Sequence, residues 1–338
     1  MKKFKKVLSL VLAFVMMGSL VVISGCGSGE GGSGEGEPLK VALLLSGPAN
    51  DQGWNATAIQ GLDLVKEELG AETAYMENVQ LADSEASYRD YASQGYDVVI
   101  GHGFQFGEPA LRVSKEFPDT YFASTESNTS GENMSSYVIG AEQGAYIMGL
   151  VSASMSESGK IGVVGGFEQP SIVKEVEAFK LAAKEVKPEI EIYEAYLNSF
   201  TDVTAGKSAA TSMLDQGVDV LYHVANQAGT GVIKAAEEKG IFACGNSYDQ
   251  NSIAPATVLS STVYNVPDVI YEAVKQVQDG TFESGVFNLG MAEDIVEIAP
   301  YHDLEAEIPE DVRALLEENI QAITDGSKEI PIIEQPTK

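Results

Sequence analysis

Cysteine is nearly missing from this 338-residue chain: Cys26 and Cys244 are the two present. No disulfide framework can staple the fold, so a buried core must hold it. Histidine is almost as scarce. His102, His223 and His302 fall in different predicted elements without HxxxH or CxxC spacing, so no metal site is expected. Arginine occurs at Arg89, Arg112 and Arg313, each inside a predicted helix, which denies an anionic ligand its usual bidentate clamp. Basic residues are outnumbered 21 to 50, for a formal charge of -29. A surface this acidic repels phosphate backbones, which excludes nucleic acid as a partner. Gly162-Val163-Val164-Gly165-Gly166 is not GxGxxG, GxxxxGK[ST] is absent, and neither Ser46-Gly47 nor Gly245-Asn246-Ser247 has a nucleophile-elbow context. Catalytic residues and cofactors are therefore not expected, and the chain does not read as an enzyme.

What is present begins with a leader. Lys2, Lys3, Lys5 and Lys6 precede an apolar run from Val7 to Ile23, which closes on Ile23-Ser24-Gly25-Cys26. This pattern resembles the lipobox of a bacterial lipoprotein, with residues 1–25 removed and Cys26 acylated. The expectation is a chain held by lipid at the extracytoplasmic face of the cell membrane. Residues 26–37 read as a Gly-rich tether, which has no apolar side chain to bury after Cys26. Loss of the leader lysines leaves 17 basic residues against 50 acidic ones.

From residue 38 onward, short apolar runs alternate with helical periodicity. Lys40 to Leu45 reads as a buried strand, and Ala58, Leu62, Val65 and Leu69 mark one helix face ended by Gly70. The alternation continues to a last helix around Val312 to Ile323, which predicts an α/β fold with doubly wound parallel sheets. The sequence also repeats itself, since Gln94-Gly95-Tyr96-Asp97-Val98-Val99 matches Gln216-Gly217-Val218-Asp219-Val220-Leu221. Two similar lobes are expected, the first from 38–143 plus about 258–285 and the second from 144–257 plus about 286–328. A chain crossing between them more than once makes a hinge, and a hinge makes a closing cleft.

Ligands bind such sheets beyond the carboxyl ends of their strands. The loops at those ends gather Asn50, Asp51, Trp54 and Asn55, then Gly103 and Phe104, Glu126, Phe167, Phe200, Asn226, and Gly245, Asn246 and Asp249. Aromatic faces with amides and carboxylates suit a neutral, flat, polar guest, with Asp249 accepting vicinal sugar hydroxyls. Trp54, the one tryptophan, is expected to converge with Asp51 and Asp249 on that guest.

These residues resemble the basic membrane lipoprotein family, which includes purine-nucleoside receptors of ABC importers. The resemblance rests on Asn50-Asp51-Gln52-Gly53-Trp54-Asn55, similar to the family's NDxxFN, and on Gly101 to Phe104, Gly159 to Gly166, Asp202 to Lys207 and Ser247-Tyr248-Asp249-Gln250. It implies a type I periplasmic-binding-protein fold with two lobes on a multi-strand hinge. A purine nucleoside would lie between the lobes, and a membrane permease would be the partner of a monomeric receptor. By the same resemblance Trp54 stands for a stacking phenylalanine and Phe200 lies near the opposing one. Two departures are Glu126, where many members have aspartate, and Tyr264, where they have lysine. The open alternatives are a surface sensor using the same cleft, a receptor for a nucleobase, riboflavin or a sugar, and a nucleoside-cleaving enzyme.

Overall fold

The computed structural model describes residues 37–51 and 53–337. The leader, Cys26 with its proposed acylation, and the tether up to Gly36 lie outside the described residues. The first half runs β1 (Lys40–Leu45), α1 (Trp54–Leu69), β2 (Glu72–Met76), α2 (Ser84–Ser93), β3 (Val98–His102), α3 (Gly107–Ser114), β4 (Tyr121–Thr125) and β5 (Met134–Ile139). It continues through α4 (Ala141–Met155), β6 (Lys160–Gly165), α5 (Pro170–Val186), β7 (Glu191–Tyr196), α6 (Val203–Leu214), β8 (Val220–Val224), α7 (Asn226–Lys239), β9 (Phe242–Gly245) and β10 (Val258–Tyr264). The chain ends with α8 (Val266–Gln278), β11 (Val286–Leu289), β12 (Val296–Ile298) and α9 (Glu310–Thr324).

These strands form two six-stranded sheets, ordered β11-β5-β4-β3-β1-β2 and β12-β10-β9-β8-β6-β7. Position by position the orders correspond, and the two matched hexapeptides lead into β3 and β8, the equivalent strands. The first sheet is parallel throughout, whereas β12 pairs antiparallel with β10 at the edge of the second. Helices cover both faces, so β1 is a continuous apolar run with Val41 to Leu45 fully buried. Gly70 ends α1 at φ 69°, a left-handed C-cap that needs no Cβ. Helix α4 is buried on nearly every side, which is why its sequence shows no polar face.

The chain passes between the sheets three times, from β5 into α4, from β10 into α8, and from β11 to β12. The strand placement differs from the sequence expectation. Val258–Tyr264, expected with the first lobe, pairs with β9 in the second sheet, and Val286–Leu289, expected with the second, pairs with β5 in the first. Only α8 of the segment 258–285 packs as expected, against α1. Both sheets present an open edge to a returning strand, and strand patterning carries no label saying which edge it will take.

Close packing under the first sheet makes a testable point. A Cβ on Gly101 would lie 2.0 Å from the Tyr88 hydroxyl and 2.4 Å from Phe106 Cβ, both fully buried. Gly101→Ala should therefore lower stability by about 1–3 kcal/mol, the range for overpacked cores, as read from denaturant midpoints. An unchanged midpoint would contradict this packing.

Candidate functional site

The loop between β1 and α1 is built around Asp51, whose side chain is 3% exposed. Its Oδ1 accepts from the backbone N–H of Gly53 and of Ala56 at 2.9 and 3.0 Å. Its Oδ2 accepts from the Asn55 backbone and side-chain amides at 3.1 and 2.8 Å, and from Asn226 Nδ2 at 2.8 Å. The three backbone bonds hold the start of α1, as a carboxylate does at a helix N-terminus, and the Asn55 side chain adds a fourth bond within the loop. The fifth comes from the other lobe, at the start of α7. Asn226 also accepts from the Trp54 N–H at 3.2 Å, so one side chain grips both ends of the loop. Gly53 makes this approach possible, since a Cβ there would sit 2.0 Å from Asn226 Oδ1. The lobes thus touch directly across the cleft.

Trp54 is half-buried, and its indole stacks on the His102 imidazole with ring centroids 4.0 Å apart and planes 21° from parallel. His102 Nε2–H donates to the Trp54 carbonyl at 2.9 Å, and its Nδ1 accepts from the Thr125 hydroxyl at 3.0 Å. Burial holds this imidazole neutral by lowering its pKa to about 4. It is a fixed uncharged platform beneath the indole.

Above this platform lies a cavity of about 540 Å³ between the lobes. Each of the seven strand-end loops singled out in the sequence contributes to its lining. Of the predicted site residues, Asp51, Trp54, Asn55, Gly103, Phe104, Glu126, Phe167, Phe200, Asn226 and Asn246 line it. Phe167 and Phe200 of the second lobe meet at 5.0 Å between centroids, tilted 58°. No lysine or arginine is among the lining residues, whereas Asp51, Glu126 and Glu175 are.

Three predicted residues are not in the lining. Asn50 is exposed and outside the lining. Gly245 sits beneath the site, where a Cβ would strike Ser261 Oγ at 2.4 Å. Asp249 is turned to the surface, where His302 Nε2 meets its Oδ2 at 2.7 Å and the Asn251 N–H donates to Oδ1. The expected convergence of two aspartates with the indole is therefore corrected to Asp51 alone. A residue after the strand end turns with its loop, and here the following 3₁₀ turn at Asn251–Ile253 carries Asp249 outward.

Sequence reasoning missed the charged groups of α5. Lys174, buried, donates to the Ile139 carbonyl at 2.6 Å and faces Glu142 and Glu126 at 3.3 and 3.6 Å. Burial opposes its charge, yet those two carboxylates raise its pKa to about 12. For Glu126 burial wins over Lys174, and its pKa is raised. Glu175, 4% exposed, accepts at Oε2 from Tyr264 OH at 2.5 Å and from Asn246 Nδ2 at 2.9 Å. A Lys-Glu pair in a helix normally reads as a solvated face, so only packing against α4 reveals these side chains as interior.

Over residues 39–333 the chain matches the family described as ABC transporter substrate-binding protein PnrA-like. The chain belongs to this family. Its members are substrate-binding proteins rather than enzymes. The chain is similar to a purine-binding protein of Brucella abortus (strain 2308), with 32% identity over 86% of this chain and 82% of that one. It is 30% identical to basic membrane protein A of Borreliella burgdorferi, over 85% and 86% of the two chains. Among solved structures it resembles an ABC transporter solute-binding protein of Aeropyrum pernix K1, at 25% identity and a TM-score of 0.79, covering 88% of this chain and 94% of that one. The fold is that of the type I periplasmic binding proteins, with two parallel-dominated α/β lobes.

Proposed function

We propose that this protein is the monomeric, lipid-anchored receptor of an ABC importer at the extracytoplasmic face, and that it captures a purine nucleoside or a related neutral heterocycle between its lobes. The observation that carries this reading is the indole of Trp54, backed by a neutral imidazole, in a cation-free cavity shared with Phe167 and Phe200 of the opposite lobe. Such a site stacks a flat ring and offers nothing to neutralise an anion. Contacts to both lobes would favour the closed form, so ligand shifts the balance between open and closed states by its preference for the latter. The purine-binding relative supports the ligand class, and the lipobox-like leader supports the anchor.

The test is a fluorescence titration, for which the chain has a single tryptophan at the proposed contact. Nucleosides should change its emission saturably, ahead of free bases, flavins and sugars. Trp54→Ala should weaken binding by about 1–3 kcal/mol, the value of one stacked aromatic, as measured by calorimetry. Equal affinity in that variant would remove the stacking role. Uptake measured with and without the protein distinguishes delivery from sensing, and release of free base would mark an enzyme.

A further inference from the structure

Glu175 stands out because nothing in the binding loops requires it. It lies within α5, inside the second lobe, and is 4% exposed, yet it lines the cavity. Its neighbours Tyr264 and Asn246 place it at the hinge end, beside the crossing from β10 into α8. Oε2 is committed to the Tyr264 hydroxyl and the Asn246 amide, with the Tyr222 hydroxyl at 3.5 Å. Among the described residues no group donates to Oε1. On the opposite lobe Asn55 Oδ1, also lining the cavity, is buried without a partner. Glu175 Oε1 is thus an acceptor with no protein donor on a residue that lines the cavity, free to take one from a guest.

We propose that Glu175 is the selectivity-determining residue of this cavity: its Oε1 accepts a hydrogen bond from an N–H or O–H of the ligand and rejects analogues that present an acceptor at that point. The inference rests on the nucleoside-receptor reading and narrows it to ligands with a donor at the hinge end. A nucleoside carries such donors on its sugar hydroxyls and on its base, where a guanine-type edge offers N1–H with an amino group and an adenine-type edge an amino group beside the N1 acceptor. Discrimination of this kind is large, because an acceptor facing a carboxylate leaves both groups unpaired in a desolvated site.

The surroundings of Glu175 make its protonation a usable probe. Burial raises its pKa to about 7, against the opposing effects of the Tyr264 hydroxyl and Lys174. The other ionisable groups around it are Tyr222 on β8, pushed well above its usual range by burial, Glu126 after β4, and Glu142 on α4 beside Lys174. Since Oε2 already accepts two hydrogen bonds, the proton goes to Oε1 and turns the acceptor into a donor.

The experiment titrates the full chain in detergent with guanosine, adenosine, 2′-deoxyguanosine and 3′-deoxyguanosine at pH 8 and pH 6. At pH 8 guanosine should bind at least tenfold tighter than adenosine if the base edge meets Glu175, or at least tenfold tighter than one deoxy analogue if a hydroxyl does. The preference should shrink severalfold at pH 6. In Glu175→Gln, where an amide can offer N–H in place of the free oxygen, it should vanish or invert and no longer depend on pH. A purely structural Glu175 would alter stability without moving these ratios. Unchanged ratios in a folded Glu175→Gln, or binding without discrimination at both pH values, overturns the inference. Should the variant fail to fold, the wild-type comparison between pH 8 and pH 6 decides it. Absence of binding to all four probes overturns the nucleoside reading and this inference together, whereas binding without discrimination overturns this one alone.

Discussion

Replacing Asp51 with alanine is expected to remove roughly 3–4 kcal/mol, shared between stability of the first lobe and closure of the cleft. Five donors converge on this carboxylate, three of them backbone amides at the start of α1. Hydrogen bonds to a charged group are worth more than neutral ones, and the donors left behind in a buried loop bear the desolvation cost. Asn226→Ala separates the two contributions. It deletes two bonds between lobes, Asn226 to Asp51 and Trp54 to Asn226, and leaves the four bonds from Gly53, Asn55 and Ala56 in place. Asp51→Ala should therefore lower both the denaturation midpoint and nucleoside affinity, whereas Asn226→Ala should lower affinity about tenfold and stability little. A loss under about 1 kcal/mol in Asp51→Ala would show that water replaces the carboxylate and that the loop is not organised around it.

The second large effect is acid lability. Burial depresses the pKa of both His102 and His223 to about 4, and neither has any accessible surface. In the unfolded chain a histidine titrates near about 6.5, so on acidification the unfolded state takes up protons first. Stability from each imidazole is complete above that value and is lost as pH falls towards 4, about 3 kcal/mol per histidine. Glu175 works in the opposite sense. Its folded pKa of about 7 lies above the ordinary 4.5, so its contribution is complete below 4.5 and is lost as pH rises through 7. Glu126, raised by burial as well, acts in the same direction as Glu175. Between pH 6.5 and 4.5 the two histidines outweigh Glu175, and a net loss of about 3 kcal/mol is expected, reduced somewhat by Glu126. Urea unfolding across this range tests the account. Glu175→Gln should steepen the acid loss and His223→Gln should flatten it, and slopes that match the wild type in both variants would refute it.

Much of the architecture was legible because it rests on local rules. Gly70, Gly95 and Gly240 mark chain reversals with positive φ, and between such marks the apolar periods of 2 and 3.6 give element type. The matched hexapeptides lead into the equivalent strands β3 and β8, and correctly signal two related halves. The lining of the cavity was legible for the same reason, since strand-end loops on one side of a parallel sheet share one crevice. What was not legible depends on partners distant in sequence. Asp51, expected from sequence as a ligand contact, proves to hold the start of α1 and to receive Asn226 across 175 positions. Asp249 reads as its twin and is turned outward to His302.

The sequence by itself determined that the core is helix-covered parallel sheet, that the chain holds two similar halves, and that basic residues are scarce in the strand-end loops. These follow from composition and short-range patterning, in which each residue speaks for its own neighbourhood. Only the tertiary structure decided which sheet takes each returning strand, which aspartate enters the cleft, and that Lys174 and Glu175 are interior groups. The physical reason is that burial and hydrogen-bond partnership belong to pairs of surfaces. Helix α5 becomes interior only once α4 is laid against it, and a carboxylate acquires a raised pKa only when that packing has removed its water.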